Sequence, residues 1–187
     1  MKKLNENGFT LIELLAVIVI MGILMLVAIP AVSRTIENSR KDTFVDVAKS
    51  YANAVRNMWA ADELACKKSG DTDYTVASAV DVGDYYIKID TTDNSAPTLL
   101  DQGGKSSWGN REMKGYVRVK VENTGTGTTS KRKTTYYVAV SDNTHGITDS
   151  TTSGIESSSL KRGNVTMTGV TWISIPSGTD VYTCIEN

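Results

Sequence analysis

Few side chains in this 187-residue sequence are of the types that do catalytic or metal chemistry. Serines are plentiful, but the sequence contains neither a G-x-S-x-G nucleophile elbow nor a glycine-rich phosphate loop. His145 is the only histidine, so no histidine-based metal cluster can form, and its setting among Thr, Asn and Gly predicts a solvated side chain. We therefore predict that the chain is not an enzyme and binds no cofactor.

Oxygen ligands of the kind that calcium prefers occur in two places, Asp71 with Asp73, and Asp90 with Asp93 and Asn94. Neither group has the spacing of the twelve-residue calcium-binding loop. We predict no metal site.

Two other features favour structural roles over binding. The tryptophans at positions 59, 108 and 172 are predicted to be core or subunit contacts rather than ligand platforms. The triplet Asn164-Val165-Thr166 matches the N-glycosylation acceptor pattern, but triplets this short often arise by chance.

Glu13 is the one strongly polar side chain between Phe9 and Val32. An apolar run of this length predicts a membrane-spanning helix, because about 20 apolar residues cross the roughly 30 Å hydrocarbon layer. A carboxylate at the centre of such a helix costs about 2.5–3.5 kcal/mol, and somewhat less near an interface. We therefore expect Glu13 to have a partner.

The N-terminus resembles that of the type IV pilins and their pilin-like relatives. The resemblance rests on a short leader with Lys2 and Lys3 that ends in Gly8, on the segment F-T-L-I-E-L-L at residues 9–15, and on Gly22 and Pro30. It implies that a prepilin peptidase cuts after Gly8, removes residues 1–8 and methylates the new terminal amine of Phe9. It also implies that Glu13 pairs with the terminal amine of a neighbouring subunit, since a desolvated carboxylate is tolerable beside a cation. The resemblance covers only about the first thirty residues.

Two other kinds of N-terminal segment fit less well. An ordinary secretory signal has an apolar region of 7–15 residues before a small-residue cleavage site. Here the apolar run is longer, and A-I-P-A at residues 28–31 offers no good site. A generic single-pass anchor explains the length of the run but not the placement of Gly8, Phe9 and Glu13.

Gly22 and Pro30 are poor helix residues inside the apolar run. Pro30 has no N–H to donate to the carbonyl of Leu26, which costs roughly 3 kcal/mol in an ordinary helix. One interpretation is a tolerated kink of the kind that is common in membrane helices. The resemblance implies another, in which the segment from Gly22 to Pro30 is weak and lengthens when subunits pack into a filament.

The net charge is close to zero and so does not favour bulk nucleic-acid binding, although it is compatible with a local basic patch. The formal net charge is −1, and it becomes −2 without a leader that contains Lys2, Lys3 and Glu6. Basic residues occur on both sides of the apolar run, so charge alone does not orient it. The resemblance implies a single-pass protein of the inner or cytoplasmic membrane that later enters an extracellular surface filament.

After Pro30 the pattern becomes amphipathic. The apolar positions that recur at steps of three and four are Phe44, Val47, Ala48, Tyr51, Val55 and Met58. Such a stripe predicts a helix that packs on its own domain. Lys67 and Lys68 followed by Gly70 resemble a helix stop, so we predict one helix over 9–66, with 9–32 as its membrane or filament core.

Residues 67–187 are predicted to form the extracellular head. The predicted strands are residues 85–89, 116–122, 134–141, 165–175 and 181–185, with the second and third paired as an antiparallel hairpin. Residues 142–163 are rich in Ser, Thr, Asp and Gly and predict a long surface loop. The predicted fold class is α+β, a long N-terminal helix packed on a small antiparallel sheet.

The sequence contains two cysteines, Cys66 and Cys184. An even number in an exported head predicts a disulfide, which would join the last strand to the end of the helix. Many pilins of the best-studied class have both cysteines late in the chain. The early position of Cys66 departs from that pattern and puts the usual C-terminal receptor-binding loop in doubt.

Taken with the resemblance, these features predict a structural subunit of a type IV pilus that serves adhesion, motility or surface attachment. Its partners would be further copies of itself in a helical filament, minor pilins, the membrane, the prepilin peptidase, an assembly ATPase and a platform protein. One alternative is a pseudopilin of a type II secretion or competence DNA-uptake system, of which only the competence type would contact nucleic acid. Another is a membrane-tethered binding domain that never polymerises. The size of the head favours the pilus.

Overall fold

A computed structural model describes residues 9–76, 81–93, 99–100, 104–109, 111–125, 131–149, 154–178 and 181–187. The chain divides into two compact units, Met1–Ser39 and Arg40–Asn187. Helix α1 (Leu11–Ala60) begins in the first unit and ends in the second, and all the described strands belong to the second. The α+β class predicted from the sequence is confirmed.

In the part of the chain that the structure describes, nine strands form one mixed sheet. They are β1 (Leu64–Lys68), β2 (Thr75–Val76), β3 (Gly83–Asp90), β4 (Lys114–Thr124), β5 (Lys131–Ser141), β6 (Gly146–Ile147), β7 (Ile155–Glu156), β8 (Val165–Thr166) and β9 (Val181–Glu186). The order is β2-β1-β9-β3-β4-β5-β6-β8, and β7 pairs with β5. The predicted antiparallel sheet is wrong in one respect, because β9 lies parallel to β3. A parallel pair needs a long connection and so leaves no turn signature in the sequence.

The predicted hairpin is confirmed and forms the centre of the sheet. Strands β4 and β5 pair over their full lengths, with Val117 opposite Val138 and Val119 opposite Tyr136. Successive side chains on a strand point to opposite faces, so the valines at 117, 119 and 121 all face the same side. These three side chains are buried in the main core.

The amphipathic stripe of α1 covers that face of the sheet. Its fully or nearly buried members are Phe44, Val45, Ala48, Tyr51, Ala52 and Val55. Val47 and Met58 lie at the margin of the same core and are partly buried. Burying each large side chain contributes roughly 1.5–3 kcal/mol, so the stripe holds this part of the helix on the sheet, as the periodicity predicted.

Helix α1 ends at Ala60, earlier than the predicted residue 66. Asp62 adopts a left-handed conformation with φ of 57°, and the Glu63 N–H donates to the Met58 carbonyl at 3.0 Å. This is the Schellman arrangement, which usually has glycine or asparagine at the left-handed position. The predicted stop at Lys67, Lys68 and Gly70 is wrong because the two lysines lie in strand β1.

The strand predicted over 165–175 is shorter in the structure, where only Val165–Thr166 pairs in the sheet. The residues that follow cross the second face of the sheet instead. Ile173 and Ile175 pack there on a smaller cluster made by Tyr86, Tyr116 and Ala139. The apolar residues of this segment therefore cover a sheet face rather than extend a ladder.

The surface loop predicted over 142–163 is wrong in part. Its described residues contain β6, β7 and two 3₁₀ turns, Ser157–Ser159 and Arg162–Asn164. Ile147 and Leu160 are buried in the main core. Elements this short have too few residues to show a periodicity.

Cys66 and Cys184 form the predicted disulfide. They lie directly opposite each other on β1 and β9, and both are buried. The bond therefore joins strand β1 to strand β9. The longer predicted helix had implied a bond from the helix to the last strand, and that part of the prediction is wrong.

We expect the double variant Cys66→Ser/Cys184→Ser to lose about 4–5 kcal/mol of unfolding free energy, because the bond closes a loop with a sequence separation of 118 residues. Denaturant unfolding of the purified protein without reductant measures the loss. The wild type under strong reductant is the control and should match the variant. Two free thiols in the exported, unreduced protein would contradict the assignment.

Candidate functional site

Glu13 is held at the start of α1 by its own chain. Its Oε2 accepts hydrogen bonds from the Thr10 N–H at 2.9 Å and the Thr10 hydroxyl at 2.7 Å. The Glu13 N–H in turn donates to Thr10 Oγ1 at 3.4 Å. This reciprocal pair is a capping box, and its T-x-x-E signature before an apolar run could have been found in the sequence.

Of the two residues predicted to flank the cleavage point, Phe9 is described by the structure. Phe9 directly precedes Thr10 and is 85% exposed. Gly8, the residue before the predicted cleavage point, lies outside the described residues.

Among the described residues of the first unit, none buries the apolar part of α1. Every residue from Phe9 to Ser39 is exposed, including the aliphatic side chains of the apolar run. By length and composition this part of the helix is able to cross a membrane. An aliphatic surface this large does not stay in water, so lipid or another protein must cover it.

Gly22 and Pro30 both lie inside continuous helix. A Cβ added at Gly22 would meet no atom of the described residues within 4 Å, so packing within the chain does not require glycine there. Pro30 does not end the helix, as an interior proline often does. If these residues have a role, it concerns the ease of unwinding or close approach by another molecule.

The histidine prediction was wrong, because His145 is almost buried. Its ring stacks on Trp108 with centroids 4.0 Å apart, and its Nδ1 lies 3.0 Å from Asp142 Oδ2. Trp108 in turn packs on Phe44 of α1 at 5.4 Å. The histidine therefore belongs to a packed group at the start of the amphipathic part of the helix.

The Asp142 carboxylate organises this group and has no exposed surface. It accepts hydrogen bonds from the Ser106 hydroxyl at 2.5 Å and from the N–H groups of Thr144 and His145 at 3.0 and 2.7 Å. Burial raises the pKa of Asp142, but the hydrogen bonds from Ser106 and His145 outweigh burial and lower it below 3.8. The serine contacts the aspartate, so the three polar residues do not form a nucleophile–base relay.

Two groups of carboxylates were considered for calcium, and in one of them lysines neutralise the carboxylates. Asp90 Oδ2 lies 3.1 Å from Lys114 Nζ, and Asp93 Oδ2 lies 2.5 Å from Lys88 Nζ. Burial raises the pKa of Asp90, but hydrogen bonds from Thr92 and the two ammonium groups bring it down to about 2. In the other group, Asp71 and Asp73 line a polar pocket with Lys67 and Lys68. Asn94 lies outside the described residues.

Comparisons with known proteins match only the N-terminus. The model of the prokaryotic N-terminal methylation motif matches residues 3–29. Comparisons with curated proteins and with solved structures found no match. The motif is the type IV prepilin-like signal, so the recognition made from Gly8, Phe9 and Glu13 is confirmed, and it supports a type IV pilin-like or pseudopilin protein.

We expect Asp142→Asn to lower the unfolding free energy at pH 7 by about 2–3 kcal/mol, because an amide cannot accept all the hydrogen bonds of the buried carboxylate. The folded-state pKa of Asp142 is depressed, so its contribution is complete above 3.8 and is lost as pH falls through the lower folded value. The deficit of the variant relative to the wild type should therefore shrink below pH 4. Denaturant unfolding at pH 7, 5 and 3 measures it.

Asp46→Asn is the matched control, since Asp46 is exposed on the same unit. A deficit for Asp142→Asn that stays constant from pH 7 to pH 3 would contradict the assignment of the ionised carboxylate.

Proposed function

We propose that this chain is a structural subunit of a type IV pilus filament and that it polymerises through the apolar part of α1. The observation that carries the proposal is Glu13, the single acid between Phe9 and Val32, in the exposed apolar part of α1 that the N-terminal methylation motif overlaps. A plain membrane anchor needs the apolar surface but has no use for the acid or for the motif.

Before assembly, the membrane covers the apolar helix and Glu13 is satisfied within its own chain. Both hydrogen bonds from Thr10 use Oε2, so among the described residues Oε1 is available to a further donor. In the filament, the terminal amine of a neighbouring Phe9 takes that place. Each helix then exchanges lipid for the helices of its neighbours, and a buried carboxylate gains the cation that makes its burial tolerable.

The proposal includes processing and partners. Residues 1–8 are the leader that the prepilin peptidase removes, residues 9–32 span the membrane and later form the filament core, and the second unit is the extracellular head. The growing filament needs minor pilins, an assembly ATPase and a platform protein, which other chains supply.

A pseudopilin of a type II secretion or competence system is the second candidate, since the same motif supports it. The elaborated sheet of the second unit favours the pilus, because a minimal pseudopilin does not need a head of this size. The identity of the neighbouring genes would distinguish the two.

We expect Glu13→Ala to reduce surface filaments at least tenfold, because no carboxylate then meets the neighbouring amine. Electron microscopy and quantification of filaments sheared from cells measure the loss. Glu37→Ala is the matched control, since Glu37 lies on the same helix, is exposed and is outside the apolar run. Mass spectrometry must show that the variant still loses residues 1–8 and gains the methyl group.

Filaments at the wild-type level from Glu13→Ala would contradict the role of this acid. If the wild type itself forms no filaments and stays a monomer in the membrane, the tethered binding domain would replace the pilus proposal.

We expect Pro30→Leu to assemble filaments that are less extensible, because leucine restores the missing helical hydrogen bond and makes unwinding between Gly22 and Pro30 harder by roughly 3 kcal/mol. Force-extension measurements on single filaments compare the variant with the wild type. Leu26→Ala, one turn earlier, is the control for a change of side-chain volume. Unchanged assembly together with unchanged extensibility would show that the segment has no such role.

A further inference from the structure

Trp172 is the one tryptophan in the described residues that is not packed into the main core. It is 41% exposed, whereas Trp59 and Trp108 pack on that core. It lies in the segment that crosses the second face of the sheet, next to Ile173, which packs inward on that face. Tryptophan is enriched at binding surfaces, where its ring supplies a large amphipathic contact area.

The Trp172 ring is held in place by an ordered pair of charges. Lys114 Nζ lies 5.5 Å from the ring centroid, a cation–π distance. The same ammonium lies 3.1 Å from Asp90 Oδ2, and the Asp90 side chain is only 7% exposed. Because Lys114 is tied to a nearly buried carboxylate, the ring and its cationic neighbour are preorganised.

Two grooves meet at Trp172. One has a volume of about 340 Å³ and is lined by three charged residues and by isoleucines, the charged ones being Lys88, Asp90 and Lys114. The other has a volume of about 470 Å³, and its walls carry several hydroxyl groups. They belong to Thr148, Thr166, Thr168, Thr171 and Ser174. The indole thus lies between hydroxyls on one side and a neutralised ion pair on the other.

The chemistry of the grooves selects one class of ligand. Lys88 and Lys114 are both paired with Asp90, and Lys88 also with Asp93, so no unpaired positive charge remains among them to hold a phosphate or another anion. Both grooves also mix aliphatic side chains with hydroxyl-bearing ones, so they suit a ligand that has apolar and polar faces. A neutral sugar meets both conditions, the charge balance and the composition of the walls. The C–H groups on one face of a pyranose ring pack on an aromatic ring, and its hydroxyls exchange hydrogen bonds with Thr and Ser.

We propose that the grooves on either side of Trp172 form a binding site for a neutral oligosaccharide, with the indole as its stacking platform. Aromatic side chains combined with a few well-placed polar groups are the usual composition of small-molecule sites. The site uses only residues of the second unit, so it does not depend on filament formation and would serve a tethered domain equally well.

The test uses the full mature chain in a detergent without a sugar headgroup, such as lauryldimethylamine oxide. Cellotetraose, chitotetraose, maltotetraose and lacto-N-tetraose are the probes, and saturation-transfer NMR titrations to 10 mM give the affinities. We expect saturable binding of at least one probe, a loss of at least tenfold in Trp172→Ala and a smaller loss in Trp172→Phe, which keeps an aromatic ring.

Tyr74→Ala is the matched control. Tyr74 is also 41% exposed and also has an ammonium over its ring, with Lys67 Nζ at 4.8 Å from the centroid, but it lies outside both grooves. Its affinities should equal those of the wild type. Near-UV circular dichroism confirms that each variant is folded, and Trp172→Phe keeps the test decisive if Trp172→Ala does not fold.

Three results would overturn the proposal. The first is the absence of saturable binding for all four probes. The second is an equal loss of affinity in Trp172→Ala, Trp172→Phe and Tyr74→Ala. The third is binding that is unchanged in folded Trp172 variants while filament yield falls, which would make Trp172 a contact between subunits.

Discussion

The constraint on which the whole structure depends is that one continuous helix presents two different surfaces. From Phe9 to Ser39 every side chain is exposed, and most of the first part of this stretch is aliphatic. From Phe44 to Val55 the apolar residues narrow to a stripe that the chain's own sheet covers. The first surface must be covered by lipid or by another protein. The second surface is already covered by the chain's own sheet. Membrane anchoring and the assembly proposed above both depend on this division.

Within the second unit, the sheet and the segments packed on it hold the buried stripe of the helix in place. Both faces of the sheet are used, one for the helix and the other for the segment that contains Ile173 and Ile175. The group around Asp142 adds a polar anchor where the helix meets the sheet, since Trp108 reaches Phe44 while His145 and Ser106 hold the surrounding turns. A buried carboxylate is acceptable there because every hydrogen bond it needs is supplied locally.

Local and periodic features could be predicted from the sequence, whereas features that depend on distant pairing could not. The spacing of the stripe and the alternation of β4 and β5 are visible in a single segment, and Glu13 is conspicuous in its apolar surroundings. The end of the helix was missed because Asp62 takes the left-handed position that glycine usually fills. His145 was misjudged because its partners, Trp108 and Asp142, depend on folding rather than on neighbouring sequence. The capping box of Thr10 and Glu13 is also a local feature, since its T-x-x-E signature spans only four residues.

The position of β9 sets the order of events during biosynthesis. Among the described strands it is the last to be made, yet it lies between β1 and β3 and pairs with both. The ladder that links these two strands therefore cannot close while β9 is still inside the ribosome. Oxidation of Cys66 with Cys184 must wait for the same moment. A chain that stops before β9 would leave the facing edges of β1 and β3 unpaired, and exposed strand edges tend to pair with other chains, so protection of the second unit from aggregation depends on complete synthesis of this strand.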